Sequence, residues 1–260
     1  MAFNTLDLST DARGVCTLTL NRPQMHNALS AEMIEELSAS VAQLGADDDV
    51  RVVVLTGAGA SFCAGGDLAW MQEQIEADRV TRMAAARALA HMLRDLNTLP
   101  KPVIGRVNGT SMGGGLGLMA VCDIAIVADA GRFGFTETRL GLIPATIAPY
   151  VLARMGEGRA RRVFMNSRLL RAADLLDLDL AAKVVTSEDL DAAVEAEVKT
   201  YLRCAPKAVG KAKALARRLG PPIDVEVIES SVMALAETWE GPEARKGIKA
   251  FFSKTPAPWD

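Results

Sequence analysis

The sequence predicts an α/β fold followed by a helical carboxy-terminal part. Two observations carry this: strand-like apolar runs alternate with helical patterns through the first half of the chain, and helical patterns dominate from Pro144 onward. A hydrophobic content of 50% over 260 residues is ample for one large core with an appendage.

Phe3 to Leu8 and Val15 to Leu20 alternate like a hairpin around "STDARG", and Ser30 stands where a cap would open the helical pattern "AEMIEELSASVAQL". "VRVVVLTG" reads as a buried strand, and "AGASFCAGGD" as a glycine-rich loop. That loop feeds one long helical region, "LAWMQEQIEADRVTRMAAARALAHMLRDLNTL", which Pro100 and Pro102 end. "PVIGRVNG" is another strand; a short apolar helix follows the triple glycine, then the strand "DIAIVAD" and the segment "RFGFTETRLGLIP". The later helices include "DAAVEAEVKTYLRCA", "KAVGKAKALARRL" and "EARKGIKAFFSK", which places the division at a core of residues 1–195 and a helical region of 196–260.

Composition excludes several classes of function. A net charge of −3 and a pI near 5.6 leave no global basic footprint, so no nucleic acid is expected as principal partner. Arg154, Arg159, Arg161, Arg162, Arg168 and Arg171 form one local basic stretch, and Arg203, Lys207, Lys211, Lys213, Arg217 and Arg218 another. These fit solvated helix faces, with binding of RNA or an acidic partner as the alternative. The longest apolar run, Leu116 to Val127, is interrupted by Asp123, and the first residues lack a signal-peptide pattern, so no membrane is expected and a cytoplasmic location is. The cysteines, Cys16, Cys63, Cys122 and Cys204, lie too far apart for a zinc knuckle. With only His26 and His91 available, a Ser-His-Asp triad or a histidine-rich metal site lacks material, and no metal is expected. Acid–base chemistry falls to carboxylates.

Both "FCAGGDL" and "SMGGGLGL" follow a buried strand and open a helix, where backbone N–H groups lack intrahelical partners. Glycine costs roughly 0.5–1 kcal/mol relative to alanine inside regular structure. Its use here lets a substrate oxygen approach an N–H without meeting a Cβ, and two such loops facing one point would make an oxyanion hole. Two rivals stand beside this reading. Gly115-x-Gly117-x-x-Ala120, with Asp129 closing the next strand, formally matches a dinucleotide fingerprint, and the glycines could serve helix–strand packing alone.

"SFCAGGDL", followed by "KPVIGRVNGTSMGGGLGLMAVCDIAIVADAGRFGFTETRLGLIP", resembles the crotonase superfamily of enoyl-CoA hydratases and isomerases over nearly the whole chain. The resemblance implies a spiral of ββα units, a carboxy-terminal helical trimerisation region, and a homotrimer or a homohexamer built as a dimer of trimers. It implies an acyl-CoA thioester as substrate and no cofactor, since coenzyme A is part of the substrate. The thioester oxygen would be held by the N–H groups of Gly66 and Gly114, and Glu137 would match the glutamate of the family's "FG-x-x-E" segment. Such a hole serves the enolate formed when water adds to an α,β-unsaturated thioester or a double bond moves, with one preorganised donor worth ~3–4 kcal/mol of barrier.

The family's hydratases carry a second glutamate where this chain has Gly117, and members lacking one of the pair include isomerases. By the same resemblance Ala64 and Leu68 would meet the adenine and pantetheine portions, Lys254 would reach the nucleotide of a neighbouring subunit, and Trp70 and Met71 would border the acyl pocket. Asp67 sits beside the hole, where it could contact substrate or cap the helix that starts at Leu68. "TETRLGLIPATIAPYVLARMGEGRARRVF" resembles the branch that hydrates branched or carboxylated enoyl-CoA esters such as methylglutaconyl-CoA. Arg139 could there pair with a substrate carboxylate or hold Glu137 by a charged hydrogen bond.

Overall fold

The computed structural model describes residues 3–260. A mixed six-stranded sheet is built from β1 (Leu6–Thr10), β2 (Val15–Leu20), β3 (Val52–Gly57), β5 (Val103–Val107), β7 (Ile124–Ala128) and β10 (Lys183–Val185), paired in that order. Only β1 and β2 pair antiparallel; the others run parallel. β3 is therefore covered on both faces, which is why "VVVLTG" is apolar without alternation. On one face lie α1 (Ala31–Ala46), α3 (Arg79–Thr98), α4 (Gly114–Val121) and α5 (Ala148–Phe164), which bury Leu37, Leu93, Leu116 and Val151. On the other, after the short α6 (Asp174–Asp177), α7 (Leu190–Leu202) sets Leu190, Val194 and Val198 against Val52, Ile104 and Ile126.

A second sheet, β4 (Ser61–Cys63), β6 (Thr110–Met112), β8 (Arg132–Gly134) and β9 (Leu170–Arg171), stands where the sequence shows only loops and a triple glycine. Its strands are two or three residues long, too short for any period to show. Repeated strand–strand–helix passages (β3, β4 and α2, Leu68–Glu76; then β5, β6 and α4) make this the α/β spiral that the resemblance implies. Here α2 is separate from α3: Asp78 accepts a hydrogen bond from the Thr81 N–H and starts a new helix inside the run expected to be continuous.

The carboxy-terminal helices are α8 (Pro206–Leu219), α9 (Val225–Glu240) and α10 (Pro242–Ser253), with proline in the first turn of α8 and α10. The boundary expected at residue 195 falls inside α7, whose apolar stripe binds it to the sheet; the helical appendage begins after Leu202. α9 seats Ile228 and Val232 on Ala86 and Ala90 of α3. α10 returns to the core, where Ala244 and Ile248 cluster with Leu142.

Candidate active site

The first glycine loop is held from one side. Leu29 donates to the Gly65 carbonyl and accepts from the Asp67 N–H, at 2.7 and 3.0 Å. Backbone groups alternate along an extended segment, so the intervening Gly66 N–H points away from Leu29. It donates to no acceptor among the described residues, nor does the N–H of Gly114, the first residue of α4. Gly65 has φ +93°, and a Cβ there would lie 3.0 Å from the Met112 carbonyl and 3.8 Å from the Gly114 nitrogen. Only glycine permits this approach, and the approach brings the two free N–H groups to one cavity.

The carboxylate arrives by sheet register. β8 pairs with β6 through Ser111 with Phe133 and Met112 with Gly134, and Gly113 then donates to the Gly134 carbonyl at 3.0 Å. The chain turns through a short 3-10 helix, Glu137–Leu140, which sets the Glu137 carboxyl over Gly113. A Cβ on Gly113 would lie 2.8 Å from Oε1, so the first glycine of the triplet makes room for this acid. Oε2 is buried with no hydrogen-bond partner. Burial disfavours the charged form and pushes the Glu137 carboxyl up to about 7, only partly offset by its own backbone N–H. Near neutrality such a group both accepts and donates protons.

A cavity of about 1190 Å³ joins these groups. Gly66, Gly114, Glu137, Ala64, Leu68, Trp70, Arg139 and Lys254 all line it. Lys254 lines the cavity of its own chain, because α10 folds back over the turn that carries Glu137. Arg139 points to the exposed rim, 3.8 Å from the Asp260 carboxylate, and makes no hydrogen bond to Glu137, so the role of holding that acid is not realised. No sequence pattern marks Arg82, Gln74 or Trp239 as cavity residues, since α3 and α9 meet α2 only in the folded chain.

Two expected site residues lie outside the lining. Asp67 accepts from the Ala69 and Trp70 N–H groups and pairs with Arg22 at 2.9 Å, with its side chain 4% exposed. It is the cap of α2, and it fixes the loop that presents Gly66. Arg22→Ala should leave this carboxylate uncompensated and cost roughly 3 kcal/mol. Thermal melts would read this, and an unchanged melting temperature would contradict the pairing.

Gly117 is covered by Ile147. A Cβ at Gly117 would meet Ile147 Cγ2 at 2.5 Å and Leu93 Cδ1 at 3.4 Å. Where a second carboxylate would project, the wall is apolar. Gly115 is likewise closed, with a Cβ 2.3 Å from the Cys63 carbonyl. The Gly115-x-Gly117 pattern therefore serves close packing of α4 on its surroundings and leaves no room for a nicotinamide nucleotide.

Several basic residues have structural partners: Arg154 donates to the carbonyls of Ala120, Cys122 and Asp123, Arg159 pairs with Asp179, and Lys213 pairs with Asp123 at 2.8 Å. Among the described residues no cluster of three or more His, Cys, Asp or Glu could hold a metal ion, and no helix is long and apolar enough to cross a membrane.

Known proteins resemble the chain in sequence and in fold. A short-chain-enoyl-CoA hydratase of Clostridium acetobutylicum is 31% identical over 259 residues, covering 98% of this chain and 97% of that protein. The crystal structure of an enoyl-CoA hydratase from Shewanella pealeana superposes with a TM-score of 0.81 at 32% identity, covering 99% of this chain and 96% of that one. An enoyl-CoA hydratase from Mycobacterium avium gives 0.86 at 29% identity, with both chains covered completely. The family model described as enoyl-CoA hydratase/isomerase matches residues 10–260, and the chain belongs to that family.

Proposed function

We propose that the protein is an enoyl-CoA hydratase that works with a single carboxylate. The observation that carries this reading is Glu137 Oε2, buried without a partner in the cavity that two undirected backbone N–H groups share. The thioester oxygen accepts from Gly66 and Gly114. As water bonds to the β carbon, the alkene electron pair moves onto that oxygen as an enolate, and ionised Glu137 takes a proton from the water. When the carbonyl re-forms, Glu137 gives a proton to the α carbon. Water is added across the double bond and the carboxylate is regenerated, with no cofactor beyond the coenzyme A that the substrate brings.

Lys254 and Arg139 at the mouth of the cavity suit the phosphates of coenzyme A or an acyl carboxylate, and Ala64, Leu68 and Trp70 suit its pantetheine and acyl portions. Branched or carboxylated acyl groups, methylglutaconyl-CoA among them, are the proposed preference. A homotrimer or a homohexamer is proposed because Leu215, Leu219, Val225 and Met233 leave apolar surface exposed on α8 and α9. A cytoplasmic location is proposed on the free thiols of Cys16, Cys63 and Cys122, all buried and unpaired.

The apolar wall at Ile147 favours one second reading, an isomerase in which Glu137 removes a proton at one carbon and returns it at another. Product masses separate the two. Crotonyl-CoA and 3-methylglutaconyl-CoA should yield products heavier by one water, with loss of the conjugated thioester absorbance. Products of unchanged mass from β,γ-unsaturated substrates, without hydration, would make the protein an isomerase.

A further inference from the structure

We propose that Arg82 makes the far end of the cavity a site for a terminal carboxylate, so that the acyl group is a medium-length chain ending in an acid. The inference rests on the acyl-CoA reading of the site.

The wall around the carboxy-terminal end of α2 is apolar, with Leu142, Leu235 and Trp239 clustered there. Into it projects one guanidinium. Arg82 donates through Nε to the Gln74 carbonyl at 2.7 Å and through Nη2 to the Ile75 carbonyl at 3.1 Å, and its Cζ stands 5.9 Å from the centre of the Trp239 ring. These contacts fix the orientation of the group without an ion pair: Asp78, one turn before it in the chain, is stabilised by its charge, but among the described residues no carboxylate comes within ion-pair distance, and Nη1 has no acceptor. Gln74 is itself a buried polar residue on the cavity wall, and its side-chain amide bonds to no described residue. A fixed cation and a free amide in apolar surroundings suit an oxygen anion with two acceptors.

Position gives the chain length. Arg82 is anchored on carbonyls six and seven residues beyond Leu68, the first residue of α2, which is about 9–10.5 Å of helix rise from the end that carries Gly66. That distance takes roughly eight to ten carbon atoms of extended chain. Arg139 lies at the exposed rim with Asp260 and does not share this end.

The test is binding of saturated, unreactive thioesters, measured by calorimetry: suberyl-CoA against octanoyl-CoA and sebacyl-CoA against decanoyl-CoA. Wild type should bind the dicarboxylic member of a pair about tenfold more tightly, the equivalent of ~1.4 kcal/mol. Arg82→Gln should erase that preference and leave octanoyl-CoA affinity within about twofold, and Arg82→Lys should keep part of it. Equal loss for both members of a pair in Arg82→Gln and Arg82→Lys, or no preference in wild type, would reduce Arg82 to a clamp between α2 and α9 and overturn the proposal. Failure of folded wild type to bind any of the four would instead remove the acyl-CoA reading itself.

Discussion

Glu137→Gln is expected to lower kcat for hydration by about three orders of magnitude while leaving KM within a few-fold, because the amide keeps the shape of the side chain and loses its basicity. The proposed oxyanion donors, the Gly66 and Gly114 N–H groups, belong to the backbone and stay in place. In wild type, kcat/KM should rise with pH through about 7 and level off above it, since the carboxylate is the form that takes the proton of water. The residual activity of Glu137→Gln should lack that limb. A wild-type profile flat from pH 5 to 9, or a variant with near-normal turnover, would sink the single-carboxylate mechanism.

The same group shapes stability, and the sign follows from its direction. Its folded value of about 7 lies above the ordinary 4.5, so its contribution is fully present below pH 4.5 and is lost as pH rises through about 7. The loss is on the order of 3 kcal/mol, the cost of ionising a carboxyl that has no partner for Oε2. Glu137→Gln should therefore melt higher than wild type at pH 8 and gain much less at pH 5. Equal melting temperatures at both values would mean that the carboxyl is solvated.

Gly117→Glu should unfold the protein or destabilise it by more than about 4 kcal/mol, despite installing the acid that two-glutamate hydratases carry. Its Cβ would overlap Ile147 Cγ2 at 2.5 Å, and its charge would sit between Ile147 and Leu93, both buried. The pair Gly117→Glu, Ile147→Gly removes the obstructing side chain and should recover a cooperative melt. Chemical denaturation of the three proteins measures this. A stable Gly117→Glu single variant would show that the chain tolerates a second carboxylate without rearrangement, and the argument from Ile147 would fall.

The sequence by itself determined the α/β class, the helix capped by Ser30 and the two glycine loops, because each is a local signal: a period, a cap, or glycine where backbone must stay bare; it left Asp67 open between cap and substrate contact and marked Glu137 only through the family resemblance. It could not show the four-stranded second sheet, whose strands hold two or three residues each and exist only through pairing with one another. Three matters were decided by tertiary structure alone. Gly117 became a packing residue because Ile147, thirty residues away in the chain, lies on it. Asp67 turned inward to Arg22 and left the cavity lining. Arg82 entered the lining because α9 brought Trp239 to it while the end of α2 supplied its acceptors. Local pattern records which atoms a backbone must expose or cover, whereas the neighbour that fills a space or leaves a charge unpaired is set by contacts distant in sequence, which no window of residues contains.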